Sequence, residues 1–202
     1  IYFEQKILQE NVGIQDQIQT CCGGFNLLSI NKQGNYRIVR LDIGSELVQN
    51  ISKKMMLVYT GISRNSSEIQ DNNQQIDAVN RNKSLEEIAK IADEVTENIL
   101  KEKLSFGEFS DFLEETWEHK IKLFPNSEKT TQILNIYKEA KSLGAKSGKL
   151  LGAGGGGFFL FLVEEDLQEE FKRNMSNFTV VKHNICNNPC SLLYNSITNI
   201  SK

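Results

Sequence analysis

Half of the fourteen glycines in this chain of 202 residues lie between Gly144 and Gly157, and the last four are consecutive. Glycine loses more conformational freedom on folding than any other residue, at a cost of about 0.5–1 kcal/mol each relative to alanine. A sequence that carries such a run needs bare backbone at that place. Either a phosphate approaches the amides, or another chain segment packs against them, or the run is a tight turn between two strands. The six apolar residues that follow, Phe158 to Val163, read as a buried strand.

Two phosphate-binding patterns can be tested by context. Gly152-Ala153-Gly154-Gly155-Gly156-Gly157 satisfies G-x-G-x-x-G. The dinucleotide fingerprint, however, requires a helix after the loop, so that pyrophosphate sits on its N-terminus, and here a strand follows. Gly144-Ala145-Lys146-Ser147-Gly148-Lys149-Leu150 has three residues between its glycines where a P-loop has four. It also has leucine where a hydroxyl must reach magnesium. Both readings fail.

Composition sets outer limits. The chain is 39% hydrophobic and 24% charged, with 23 basic against 26 acidic side chains and a net charge of −3. That balance argues against nucleic acid or an anionic membrane as the main partner. A longest apolar run of six residues is far too short to span a bilayer. Cys21, Cys22, Cys186 and Cys190 lack the spacing of a zinc site, and two histidines make a metal cluster improbable. Reduced thiols in a cytoplasmic protein are the expectation, with packing roles for Cys21 and Cys22.

The element pattern is mixed. Ile1 to Glu10 has helical spacing, as does Ile14 to Cys22, which Gly23-Gly24 ends. Phe25 to Ile30 and Tyr36 to Ile43 read as strands about a turn, and Met55 to Tyr59 as a third strand. Asn65 to Asn82 is polar. Ser84 with Glu87 and Ser105 with Glu108 are S-x-x-E capping boxes that should open two helices. Their apolar stripes are Leu85, Ile88, Ala92, Val95 and Ile99, then Phe109, Leu113, Trp117 and Ile121. A third helix follows Pro125-Asn126, with Ile133, Ile136, Tyr137 and Ala140 inward and Gly144 past its end. After the strand Phe158 to Val163 come an acidic amphipathic helix, Glu164 to Met175, and a strand from Thr179 to Ile185. The fold class is α+β.

A second segment carries chemistry. In Gly13-Ile14-Gln15-Asp16-Gln17, ahead of Gly23-Gly24-Phe25-Asn26, a helix starting near Gln15 puts Asp16 in its first turn. The helix dipole stabilises an anion there by about 0.3–1 kcal/mol. An ionised carboxylate can accept a proton from a substrate hydroxyl. Taken alone, Asp16 reads better as an acidic residue that merely suits a helix N-terminus.

Together these segments resemble the GHMP small-molecule kinases, and within them the D-glycero-D-manno-heptose 7-phosphate kinases. Gly13 to Asn26, Met56-Leu57-Val58-Tyr59-Thr60-Gly61-Ile62-Ser63-Arg64 and Gly144 to Val163 carry the likeness. It runs from the first residue to about Tyr194. The resemblance implies a two-lobe kinase that transfers the γ-phosphate of ATP to the anomeric hydroxyl of a sugar phosphate. Asp16 stands at the family's catalytic aspartate, and Gln15, Gln17, Gly23, Gly24, Thr60, Gly61 and Arg64 fall to the substrate side. Arg64 would grip the sugar 7-phosphate, since a guanidinium forks onto phosphate oxygens. Lys149, Gly152, Ala153, Gly154, Gly155, Gly156 and Gly157 match the loop beside the ATP phosphates.

The family's other phosphate motif, P-x-x-x-G-L-[GS]-S-[SA], is absent from these residues. The resemblance therefore implies the C-terminal part of such a kinase, with Mg2+ ligands mainly in the preceding segment and no turnover from this part alone. Residues 1–50 would end an incomplete N-terminal lobe. Residues 51–202 would form the C-terminal lobe, helices packed on an antiparallel, ferredoxin-like sheet. Ile1, Phe3 and Ile7 would then be exposed and favour aggregation. A small-molecule sugar phosphate and ATP are the expected partners, and a homo-oligomer is left open. Two alternatives stand beside this reading: a galactokinase- or fucokinase-type kinase of an unphosphorylated sugar, and a non-catalytic sugar- or nucleotide-binding homologue.

Overall fold

A computed structural model describes residues 3–9, 13–62, 77–152, 154–183, 185–186 and 188–191. The chain divides into two compact units, Ile1–Leu41 with Cys186–Lys202, and Asp42–Ile185.

In the first unit the opening helix is a single wide-turn (π) segment, Phe3–Ile7. Ile7 and Leu8 are exposed, at 56% and 51% of their surface. The side chains of Ile1 and Phe3 lie outside the described residues. Helix α1 spans Gln15–Cys22 and stops at Gly23, whose φ of 62° lets the chain leave the helix. Strands β1 (Asn26–Ile30) and β2 (Tyr36–Arg40) form an antiparallel hairpin. Its turn is tied by the Asn31 side chain, which accepts from the amides of Gln33 and Asn35 at 3.0 and 2.9 Å. The segment beyond Ile185 returns to α1: Gly24 N donates to Cys186 O at 3.0 Å, and Cys190 N to Cys21 O at 3.2 Å.

The second unit is a β-α-β-β-α-β arrangement. Helix α2 (Ser45–Lys54) runs straight into β3 (Met55–Tyr59). Helices α3 (Ala78–Leu100), α4 (Phe106–Ile121) and α5 (Glu128–Ser142) follow, then β4 (Ala145–Leu150) and β5 (Phe158–Val163). Helix α6 (Gln168–Asn174) and β6 (Thr179–Lys182) complete it. The sheet is antiparallel in the order β4-β5-β3-β6, the ferredoxin-like arrangement that the family resemblance implied.

Alternation along the strands puts Met56, Val58, Phe159, Phe161 and Val163 on one face, all buried. Trp117 of α4, Ile133, Ile136 and Ala140 of α5 and Phe171 of α6 close over them. Aromatic contacts fix the centre, with Trp117 and Phe159 edge to face at 5.2 Å and Phe159 and Phe161 stacked at 5.0 Å.

Four expectations need correction. The boundary expected near residue 50 falls at Leu41/Asp42, so that all of α2 lies in the second unit. Helix α3 begins not at the Ser84 box but about two turns earlier, because Asp77 caps it by accepting from Asn80 N at 3.3 Å. Ser84 is buried mid-helix, and the inward face is Ser84, Ile91 and Ile99, while Leu85 and Ala92 face out. Cys21 is exposed, so it has no packing role, and all four cysteines are free. The fourth strand ends at Lys182, short of Ile185.

The Ser105 box, in contrast, forms as written: Glu108 N donates to Ser105 Oγ at 3.2 Å, and Ser105 N to Glu108 Oε2 at 2.8 Å. The Ser105 hydroxyl also donates to Glu108 Oε2 at 2.6 Å, and this bond, with that from Ser105 N, holds the Glu108 carboxyl below its usual range. Ser105→Ala is expected to cost about 1 kcal/mol. Calorimetry should show a fall in melting temperature of about 2–4 °C.

Candidate functional site

The glycine-rich stretch resolves into two parts. Gly144 to Lys149, the segment that fails as a P-loop, is the entry and body of β4. It uses small residues because α4 lies close: Ser147 and Ser110 hydroxyls meet at 2.8 Å, both buried. A side chain at Gly148 would collide with the Phe161 ring. Only residues 151–157 form the loop, which joins β4 to β5. Leu151 N closes its base on Phe158 O at 2.8 Å.

The glycines of the loop differ in what surrounds them. Gly154 and Gly156 are bare because chain packs on them. A Cβ at Gly154 would stand 2.6 Å from the Phe124 ring, and one at Gly156 would overlap the Ile62 carbonyl. Gly152 and Gly157 have positive φ, 65° and 93°, with nothing within 4 Å of where a Cβ would project. At Gly152 this leaves a side from which a ligand can approach the main chain, whereas the amide and carbonyl of Gly157 are bonded within the protein.

The Thr60-Gly61-Ile62 stretch, far away in sequence, docks on this loop. Thr60 N and Thr60 Oγ1 both donate to Gly157 O at 2.9 Å. Gly157 N returns a bond to Ile62 O at 3.2 Å, and Ile62 N donates to Thr60 Oγ1 at 3.2 Å. Thr60 is buried, so its hydroxyl serves the loop. Gly61, at φ 71°, makes the turn between the two bonded residues. The structure thus brings together two of the three stretches singled out in the sequence. Beside them Leu57, Tyr59, Ile62, Leu151, Gly152, Gly156, Gly157 and Phe158 line a cleft of about 450 Å³.

Lys149 lies in β4 opposite Leu160, on the sheet face away from Trp117. Burial pushes its ammonium below the ordinary lysine range. Sequence reasoning missed what supports the loop from beneath. Lys120 of α4 donates to Leu150 O at 2.7 Å and to Gly152 O at 2.6 Å. Its one sequence signal is position, three residues after Trp117 and so on the same helical face.

In the first unit, α1 begins at Gln15, placing Asp16 in its first turn as expected. Gln15 and Asp16 are exposed and Gln17 is half-buried. The Asp16 main chain is fixed by Thr20 Oγ1, which donates to Asp16 O at 2.8 Å. Gly23 and Gly24 are held within the protein: a side chain at Gly23 would strike the Asn188 backbone, and Asn26 Nδ2 donates to Gly23 O at 2.9 Å. Arg64 and Ala153 lie outside the described residues. Among the described residues, no three His, Cys, Asp or Glu side chains cluster as metal ligands. No helix among them is long and apolar enough to cross a membrane.

The sheet order, the helices on one face and the strand that follows the glycine loop define an α+β domain rather than a dinucleotide or P-loop fold. Residues 97–180 match the family described as GHMP kinases C terminal, and this part of the chain is a GHMP kinase C-terminal domain. A D-glycero-alpha-D-manno-heptose 7-phosphate kinase of Campylobacter jejuni is 30% identical, over 79% of this chain and 48% of its own length. The chain therefore spans about half the length of that curated relative. A D-glycero-D-manno-heptose 1-phosphate kinase from Bacteroides thetaiotaomicron has a TM-score of 0.63 at 24% identity, over 93% of this chain and 51% of that one. A Lactococcus lactis galactokinase complexed with galactose has 0.59 at 13%, over 95% and 59%. At these identities the solved structures speak for the fold alone.

Proposed function

We propose that this protein belongs to an ATP-dependent kinase that phosphorylates the anomeric hydroxyl of D-glycero-D-manno-heptose 7-phosphate. The observation that most supports phosphoryl transfer is the loop 151–157, glycine at five of its seven positions, with open space beside Gly152 and anchored at both ends. Phosphoryl transfer leaves little covalent chemistry to the protein, so catalysis is mostly positioning and charge stabilisation. A rigid row of amides suits both. The sugar is inferred from the 30% identical heptose 7-phosphate kinase.

In the proposed step the anomeric oxygen forms a bond to the γ-phosphorus, the bond from that phosphorus to ADP breaks, and the hydroxyl proton passes to Asp16. Gln15 and Gln17 orient the sugar by hydrogen bonds, and backbone amides of the loop steady the charge on the transferred group. Mg2+, when bound with the nucleotide, neutralises phosphate charge.

The test is the product. With protein from the complete reading frame, phosphorus NMR should show a new phosphomonoester coupled to the anomeric proton. A phosphate on any other carbon, or none, contradicts the reading. Arg64, proposed to grip the 7-phosphate, gives a second check. Loss of a charge-assisted hydrogen bond is worth about 1.5–3 kcal/mol. Arg64→Ala should therefore raise KM for the phosphorylated heptose about 10–100-fold, with KM for ATP unchanged. An unchanged sugar KM would remove Arg64 from the site.

A further inference from the structure

We infer that Lys120 is a positioning residue for phosphoryl transfer, its ammonium holding the carbonyls of Leu150 and Gly152 so that neither oxygen turns toward the phosphates. The inference rests on the kinase reading above. Its geometry is specific. A glycine-rich loop has little side-chain packing to fix it, and each peptide unit can turn either its N–H or its C=O outward. A carbonyl oxygen turned toward a phosphate would repel it; an amide would bind it.

Lys120 bears on that choice at the loop's first turn. Its Nζ lies 2.7 Å from Leu150 O, the last residue of β4, and 2.6 Å from Gly152 O, two residues on. Bonds from an ammonium to neutral carbonyls are among the stronger hydrogen bonds in proteins. The lysine is itself well anchored, because α4 is held to the core by Trp117, 3% exposed. One turn beyond Lys120, the Phe124 ring packs where Gly154 would carry a side chain and meets Trp117 edge to face at 6.0 Å. At the far end Thr60 performs the matching function on Gly157 O. The loop is thus pinned at entry by a charge from α4 and at exit by a hydroxyl from the end of β3.

The experiment combines hydrogen exchange with steady-state kinetics on the protein from its complete reading frame, comparing wild type, Lys120→Met and Lys120→Arg. Lys120→Met should speed exchange about tenfold or more in a peptide covering 150–158, with peptides of α4 and α5 unchanged. It should lower kcat about 10–100-fold while KM for the sugar moves little, since a misplaced loop fails in the transition state. Arginine keeps the charge and the donors, so Lys120→Arg should recover most of both.

Unchanged loop exchange in Lys120→Met overturns the inference. So does exchange that rises equally through α4, since that marks a packing role, and so does a kcat loss that arginine does not recover. If wild type releases no ADP, the kinase reading fails and the positioning role with it, whereas local exchange changes would still identify the clamp.

Discussion

Asp16→Asn should lower kcat about 10²–10⁴-fold, the range for loss of a positioned general base, with the fold intact. Asparagine has nearly the shape of aspartate but cannot take a proton from the sugar hydroxyl. The backbone that presents it survives the change, because Thr20 Oγ1 bonds the main-chain oxygen of residue 16 and not its carboxylate. The side chain is exposed, so no buried partner is orphaned. Melting temperature should stay within the scatter of surface substitutions, about 0.5 kcal/mol in stability. ADP release monitored by a coupled assay, with calorimetry beside it, separates the outcomes. An active asparagine variant would remove Asp16 from the chemistry.

Gly156→Ala should be costly in a different way, through the loop itself. At φ 147° the backbone is in a region L-residues rarely enter, and the added methyl would overlap the Ile62 carbonyl. Strain of this kind is worth about 1–3 kcal/mol before the clash is relieved. Relief requires Ile62 to retreat, which breaks its bond from Gly157 N and loosens the Thr60 clamp. Stability should fall about 2–3 kcal/mol, a drop of about 4–12 °C in melting temperature, with kcat lowered about 100-fold. Gly13→Ala, with open space around it and no positive φ, is the control and should behave as wild type. Equal effects at both positions would mean that the loop is not the sensitive element.

What was legible in the sequence was local chemistry. The Ser105 box needs only residues three apart, and it forms as read. Helix α1 and strand β5 were visible from spacing and from an unbroken apolar run. Strand β4 was not, because three of its four buried residues, Ala145, Ser147 and Gly148, are small for the sake of α4 and Phe161 lying against them, and only Leu150 is large. Helix α2 is short and starts at Gly44 with no side-chain cap. The early start of α3 lies with Asp77, in a polar stretch whose residues compete between loop and cap.

The site was legible in the same uneven way. The run of glycines announced a need for bare backbone, but only the structure separates Gly154 and Gly156, crowded by Phe124 and Ile62, from Gly152 and Gly157, which face open space. Thr60 stood out through family likeness as a substrate contact; its hydroxyl is instead spent on Gly157 O within the protein. Lys120 could not be found from pattern, since its bonds reach 30 and 32 residues along the chain.

The most direct test of the central proposal is ADP release by the protein from its complete reading frame, with ATP and Mg2+, offered D-glycero-D-manno-heptose 7-phosphate, galactose and fucose in parallel. Turnover on the phosphorylated heptose, with the plain sugars inert, is the predicted result. Turnover only on galactose or fucose, or sugar and nucleotide binding with no ADP from any of the three, would contradict it.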